Sequence, residues 1–137
     1  MKNLFITNRV SLSVLNQEAV AAAATLTSVA FDTLNFRNAI LAIDIVATNE
    51  VAYSISLTQC ETLAGDYTAV PAAKFAAITG TETDDTATEV FEVAVSGLQR
   101  YVKAVIVTSE AGTSTIAVVC ALGDQNYTPT ATEFLEK

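Results

Sequence analysis

Any chemistry carried out by this 137-residue chain must be assembled from fifteen carboxylates, seven Lys and Arg side chains, two thiols and many hydroxyls, because the sequence contains no His. Without imidazole there is no Ser-His-Asp or Cys-His nucleophilic unit, no His-ligated zinc, and no side chain that exchanges protons readily near neutral pH. The densest carboxylate cluster is Glu82, Asp84 and Asp85, followed by Glu89 and Glu92. Oxygen ligands of this kind suit Ca²⁺, but the segment lacks the D-x-[DN]-x-[DN]-G spacing and the Gly that folds such a loop, so it reads as a solvated acidic loop. As a general acid and base, any two of fifteen carboxylates could be nominated, and no pair stands out. No catalytic residue, metal ligand or cofactor is assigned, and the chain reads as a non-enzyme.

Arg100 draws attention because cations are so few. It stands after Gly97 and directly before Tyr101, at the start of the clearest strand pattern in the chain. Two readings are open: its stem covers a sheet edge while the head stays wet, or its guanidinium makes a bidentate pair with a carboxylate across a subunit contact. Tyr53, Tyr67, Tyr101 and Tyr127 are scattered and Trp is absent, a poor supply of the aromatic platforms on which sugars stack. Cys60 and Cys120 are far apart with no C-x-x-C spacing, which reads as two buried thiols in a reducing compartment.

The elements that must carry these residues are β-strands. The chain holds 23 Ala, 19 Thr, 15 Val and 8 Ile, small and β-branched types that fit a pleated surface. At 51% hydrophobic and 16% charged it is too apolar for disorder, and its length suits one domain. A net charge of −8 is repelled by phosphate backbones, which excludes nucleic acid as a partner. The apolar runs fall short of the ~20 residues of a membrane span, and Leu4 to Ile6 is too short for a secretory core, so the expected protein is soluble and made in the cytoplasm.

Along the chain, Leu12 and Val14 alternate with Ser11 and Ser13 as in a short strand, and Gln17 to Ala24 suits a helical turn or a connector. Val29 to Asp32 reads as a short strand and Leu34 to Asn38 as a turn. Ala39 to Thr48, nearly all apolar around Asp44, predicts a strand buried on both faces, with solvent or a partner reached at Asp44. Asn49-Glu50 is short enough for a hairpin into the half-buried strand Tyr53 to Thr58. Gly65-Asp66 is a turn, Thr68 to Val70 a short strand stopped by Pro71, Ala72 to Ile78 a strand or one helical turn, and Thr79 to Thr88 an exposed loop. Phe91, Val93 and Val95 face one way. Arg100 to Thr108 is a long strand joined through a hairpin at Glu110-Ala111-Gly112 to the closing strand Ser114 to Leu122. Seven or eight such strands predict an all-β, two-sheet antiparallel β-sandwich, jelly-roll-like. The expected organisation is an N-terminal strand and Ala-rich arm over 1–28, the sandwich over 29–126 and a C-terminal tail over 127–137.

The succession Gly97-Leu98-Gln99-Arg100-Tyr101-Val102-Lys103-Ala104-Val105-Ile106, then Gly112, Ser114, Ala117-Val118-Val119, Leu122-Gly123 and Pro129, resembles the C-terminal half of small capsid decoration (cement) proteins of tailed bacteriophages. Phe36 leading into Ala39 to Ala47, Tyr53-Ser54-Ile55 and the Gly65 turn fit the same layout, although Gln125 to Thr128 offers no cation before Pro129. The resemblance implies a non-enzymatic virion protein on the outer surface of a capsid, bridging and stabilising subunits of the major capsid protein as a homodimer or homotrimer. It implies that the terminal segments, Met1 to Leu15 and Tyr127 to Lys137, order on the partner, with Arg100, Tyr101, Tyr127 and Phe134 as candidate contacts. A head-to-tail or tail accessory protein and a host-surface carbohydrate-binding module are the alternatives.

Overall fold

The computed structural model describes residues 10–21, 23–48, 50–82, 86–109 and 113–125. These form ten strands, two of them only two residues long: β1 (Val10–Ala21), β2 (Ala24–Thr27), β3 (Phe31–Asp32), β4 (Phe36–Thr48), β5 (Val51–Cys60), β6 (Thr68–Ala69), β7 (Ile78–Glu82), β8 (Thr86–Ala94), β9 (Tyr101–Thr108) and β10 (Thr113–Gln125). One sheet has the order β1-β10-β4-β8. The other runs β2-β9-β5-β6, with β3 added to β9 and β7 to β5. With the two shortest strands set aside, the eight that remain form two four-strand sets, β1-β10-β4-β8 and β2-β9-β5-β7, and the chain crosses between the sheets at every step except β5 to β7. That is the two-Greek-key pattern of a jelly roll, and all the pairings are antiparallel.

The core lies between the sheets and follows from period-two alternation. On the first sheet Ala39, Leu41, Ile43 and Ile45 of β4 and Ile116, Val118, Cys120 and Leu122 of β10 point inward; on the second Val51, Ile55 and Leu57 of β5 meet Val102, Ala104 and Ile106 of β9. These side chains are almost wholly removed from water, and each large one contributes about 1.5–3 kcal/mol. The two sheets are also tied by polar contact. Tyr53 on β5 reaches across to β8, where its hydroxyl donates to Glu89 Oε1 at 2.6 Å. Its ring lies over Gly80 of β7, its cross-strand partner, and a Cβ at Gly80 would run into the ring. Only Gly lets the aromatic lie this close.

Several sequence expectations change here. Gln17 to Ala21 is neither helix nor connector but the end of β1, paired with β10 from Glu18↔Ile116 to Ala21↔Thr113; the ladder overrides the helix preference of Ala. Thr79 to Thr88 is not a loop, since β7 and β8 occupy its two ends, with 83–85 outside the described residues. Its polar character suits outlying strands, where one edge of β7 pairs with β5 and one edge of β8 with β4. Neither expected hairpin forms: β4 and β5 lie in different sheets, as do β9 and β10. Asn49 and 110–112 themselves lie outside the described residues. Pro71 to Phe75 makes one tight turn, with the amides of Lys74 and Phe75 donating to Pro71 O. Finally, β4 is buried on one face only; Ile40 and Val46 remain 48% and 42% exposed.

Candidate functional site

Arg100 lies where β3 joins the sheet. β3 pairs with β9 in the register Asp32↔Tyr101, which brings Asp32 beside the residue that precedes β9. The guanidinium grips that carboxylate at two points, Nε to Oδ1 at 3.0 Å and Nη2 to Oδ2 at 2.7 Å. The Leu34 amide adds a third bond to Asp32 Oδ1, and the Thr33 amide and hydroxyl both donate to Arg100 O. A turn from Thr33 to Phe36 closes the corner, with Asn35 at φ 69° in its third position, a conformation Asn tolerates better than most side chains. The Arg100 hydrogen bond holds the Asp32 carboxyl below its ordinary value, and the same bond raises the guanidinium. Arg100 therefore makes the bidentate pair open to it from the sequence, with a carboxylate of its own chain.

The neighbouring aromatics are occupied in the same way. Arg100 Cζ is 4.9 Å from the centre of the Tyr101 ring, and Lys103 Nζ is 3.8 Å from that of Tyr67. The Tyr67 hydroxyl donates to Leu63 O, and burial raises it above its ordinary value. Beside the corner is a shallow, open depression of about 280 Å³ lined by Thr33, Leu34, Phe36, Glu61, Leu98 and Arg100. Of its polar groups, the Thr33 hydroxyl is taken up by Arg100 O and the Arg100 guanidinium by Asp32. Tyr101 is half-buried next to Arg100, whereas Tyr127 and Phe134 lie outside the described residues. Of the acidic cluster, Asp84 and Asp85 also lie outside them, and among the described residues no three His, Cys, Asp or Glu gather as a metal site. No helix of the described residues is long and apolar enough to cross a membrane.

A second surface was not singled out by sequence reasoning. The outer face of the first sheet is built in cross-strand rows: Ala121, Ile40 and Glu92; Val119, Ala42 and Val90; Ala117, Asp44 and Thr88. Val119 and Val90 are 47% and 62% exposed, continuous with Ile40. Asp44 is held by the Thr88 hydroxyl at 2.7 Å. The signal was present in the nearly all-apolar run of β4 from Ala39 to Ala47, but a run of that kind is what burial on both faces also produces. The outer face of the second sheet differs in chemistry. It carries Thr25 and Thr27, Ser54, Ser56 and Thr58 on either side of Val105 and the half-exposed Val107, with Lys103 and Tyr101 at one end.

No protein-family model matches the chain, and no protein of curated function matches its sequence. Among solved structures it is similar to the PBSX exported protein XepA, at TM-score 0.56 and 12% identity, over 89% of this chain and 39% of that one. It is also similar to the infectious bursal disease virus Gx strain structure, at TM-score 0.54 and 14% identity over 89% of this chain, and to the infectious bursal disease virus VP2 subviral particle, at 0.52 and 11% over 88%. The chain spans 33% of each of those two virus chains. At such identities the likeness is one of fold, a β-sandwich of the jelly-roll kind.

Proposed function

We propose that this chain is a non-enzymatic structural protein of a virion, one that binds the outer surface of a bacteriophage capsid and bridges and stabilises its major capsid protein subunits. The observation that carries the reading is the eight-strand jelly roll, with its described ion pair and aromatic surface closed on themselves and an apolar sheet face left open. A body of this kind is suited to being held against other proteins, not to turning over a substrate. The fold likeness to a virus subviral particle supports it, as does the sequence resemblance to phage decoration proteins. The charge of −8 keeps a high-copy protein soluble and suits the outside of a shell better than its DNA-lined interior. Binding only the assembled shell stabilises that state by mass action.

The test is to mix the purified protein with expanded, undecorated shells of the virus that encodes it. Saturable co-sedimentation and raised heat resistance of the shells are expected. Failure to bind any form of the shell would rule the reading out, and antibody label at the neck or tail would move the protein to an accessory role there.

A further inference from the structure

The four strands of the first sheet contain one cation, Arg37, against five carboxylates, Glu18, Asp44, Glu89, Glu92 and Asp124. Glu89 is engaged by Tyr53, while Asp44 and Glu92 stand on the outer face among Ile40, Ala42, Val90, Val119 and Val46. Ile40, Val90 and Val119 close around Ala42, with Val46 beyond the Asp44 row, and together they leave on the order of 300 Å² of apolar surface, the size of the largest patch on many monomers, which is often functional. A second copy is a poor occupant on two counts. Face-to-face pairing would set two copies of the same acidic face, each carrying Asp44 and Glu92, against one another, and among the described residues of that face there is no cation to answer them. Four strands by four outward rows give a footprint of roughly 500 Å², below the ~800 Å² per partner of a stable two-body interface.

We propose that the outer face of the β1-β10-β4-β8 sheet docks on another protein whose contact surface is apolar at its centre and rimmed by Lys or Arg. This rests on the reading above, in which that partner is the shell. A lattice suits so small a face, because a second contact to a neighbouring subunit raises the effective concentration of the first. The opposite charges are completed across the interface: Asp44, presented by Thr88, and Glu92 supply the acidic half. The hydroxyl-rich outer face of the other sheet, with Lys103 and Arg100 at its end, is left toward solvent.

Val90→Glu and Val119→Glu test the face at exposed positions, with circular dichroism and thermal melting to establish that both variants fold. Each is expected to weaken co-sedimentation with undecorated shells at least tenfold. Raising NaCl from 50 to 500 mM should weaken the wild type, and the Asp44→Asn, Glu92→Gln double variant should show a shallower salt dependence. If the wild type binds shells and both Glu variants bind equally well, the proposal is wrong while the shell-binding function stands. If the wild type binds no shell, that function falls and the proposal with it. Sedimentation velocity of the free protein tests the other occupants: a dimer abolished by Val90→Glu would assign the face to a second copy. Increased binding of an apolar dye after deletion of residues 126–137, lost again with Val119→Glu, would assign it to the chain's own tail. Either result overturns the proposal.

Discussion

Replacing Gly80 by Ala should destabilise the protein through Tyr53, and the size of the effect can be worked out from the contacts. A Cβ at Gly80 would meet Cε1, Cζ and Oη of the Tyr53 ring, which is 5% exposed and lies between β7 and the core. The ring must move, and overpacking of this kind costs about 1–3 kcal/mol. Movement also breaks the Tyr53 to Glu89 bond, a hydrogen bond to a carboxylate worth about 1.5–3 kcal/mol when well buried. Because Glu89 is partly exposed, the lower end applies, and the combined loss is about 2–4 kcal/mol. Tyr53→Phe should lose only the hydrogen-bond part, about 1–2 kcal/mol. Urea unfolding followed by circular dichroism reads both values, with an unchanged slope indicating that stability alone has altered. The decisive comparison is Gly80→Ala in a Tyr53→Leu background. With no ring above it the Cβ has room, and most of the cost should vanish as a coupling of about 1–3 kcal/mol. An unchanged cost in that background, or a loss below about 0.5 kcal/mol in the wild type, would refute the reasoning.

Two further predictions concern titrating groups. Burial pushes the Cys120 thiol up to about 12, so it should resist iodoacetamide at pH 8 in the folded protein and react once unfolded; the unfolded chain ionises from about pH 9 while the folded one does not, so stability should fall by up to about 1.4 kcal/mol per pH unit between pH 9 and 12, and Cys120→Ala should flatten that slope. The Asp32 carboxyl is lowered by Arg100, so the stability it contributes is present above the ordinary carboxylate value of 3.8 and is lost as pH falls through its folded value; Asp32→Asn should make the melting temperature less dependent on pH below 4, and an unaltered acid limb would show that the pair contributes nothing to folding.

Strand existence and core side were readable from sequence wherever alternation was regular. Tyr53, Ile55 and Leu57 face inward, opposite the hydroxyl-bearing Ser54, Ser56 and Thr58, as expected; the alternation of β9 was regular too, and the structure shows that Val102, Ala104 and Ile106 are its inward set. Sheet membership was not readable, because a short turn reports only that the chain reverses. β4 and β5 follow one another closely in sequence yet pair in different sheets, and the choice is made by partners remote in sequence. The same remoteness hid the Asp32 to Arg100 pair: 68 residues separate them, and the register of a two-residue strand brings them together. Thr-rich β7 and the first residues of β8, Thr86 to Thr88, carried too little apolar alternation to be told from a loop. The open sheet face was misread because Ile40, Ala42 and Val46 give β4 the continuous apolar run of a strand covered on both sides. That misreading has content of its own, since it places an interface-like composition on a surface of the free protein.

Imaging the virion, with and without this chain, tests the central claim most directly. A difference map between wild-type particles and particles lacking the chain is predicted to show a small density repeated over the outer surface of the capsid, in contact with neighbouring shell subunits. Density confined to the neck or tail, or no difference between the two particles, would contradict it.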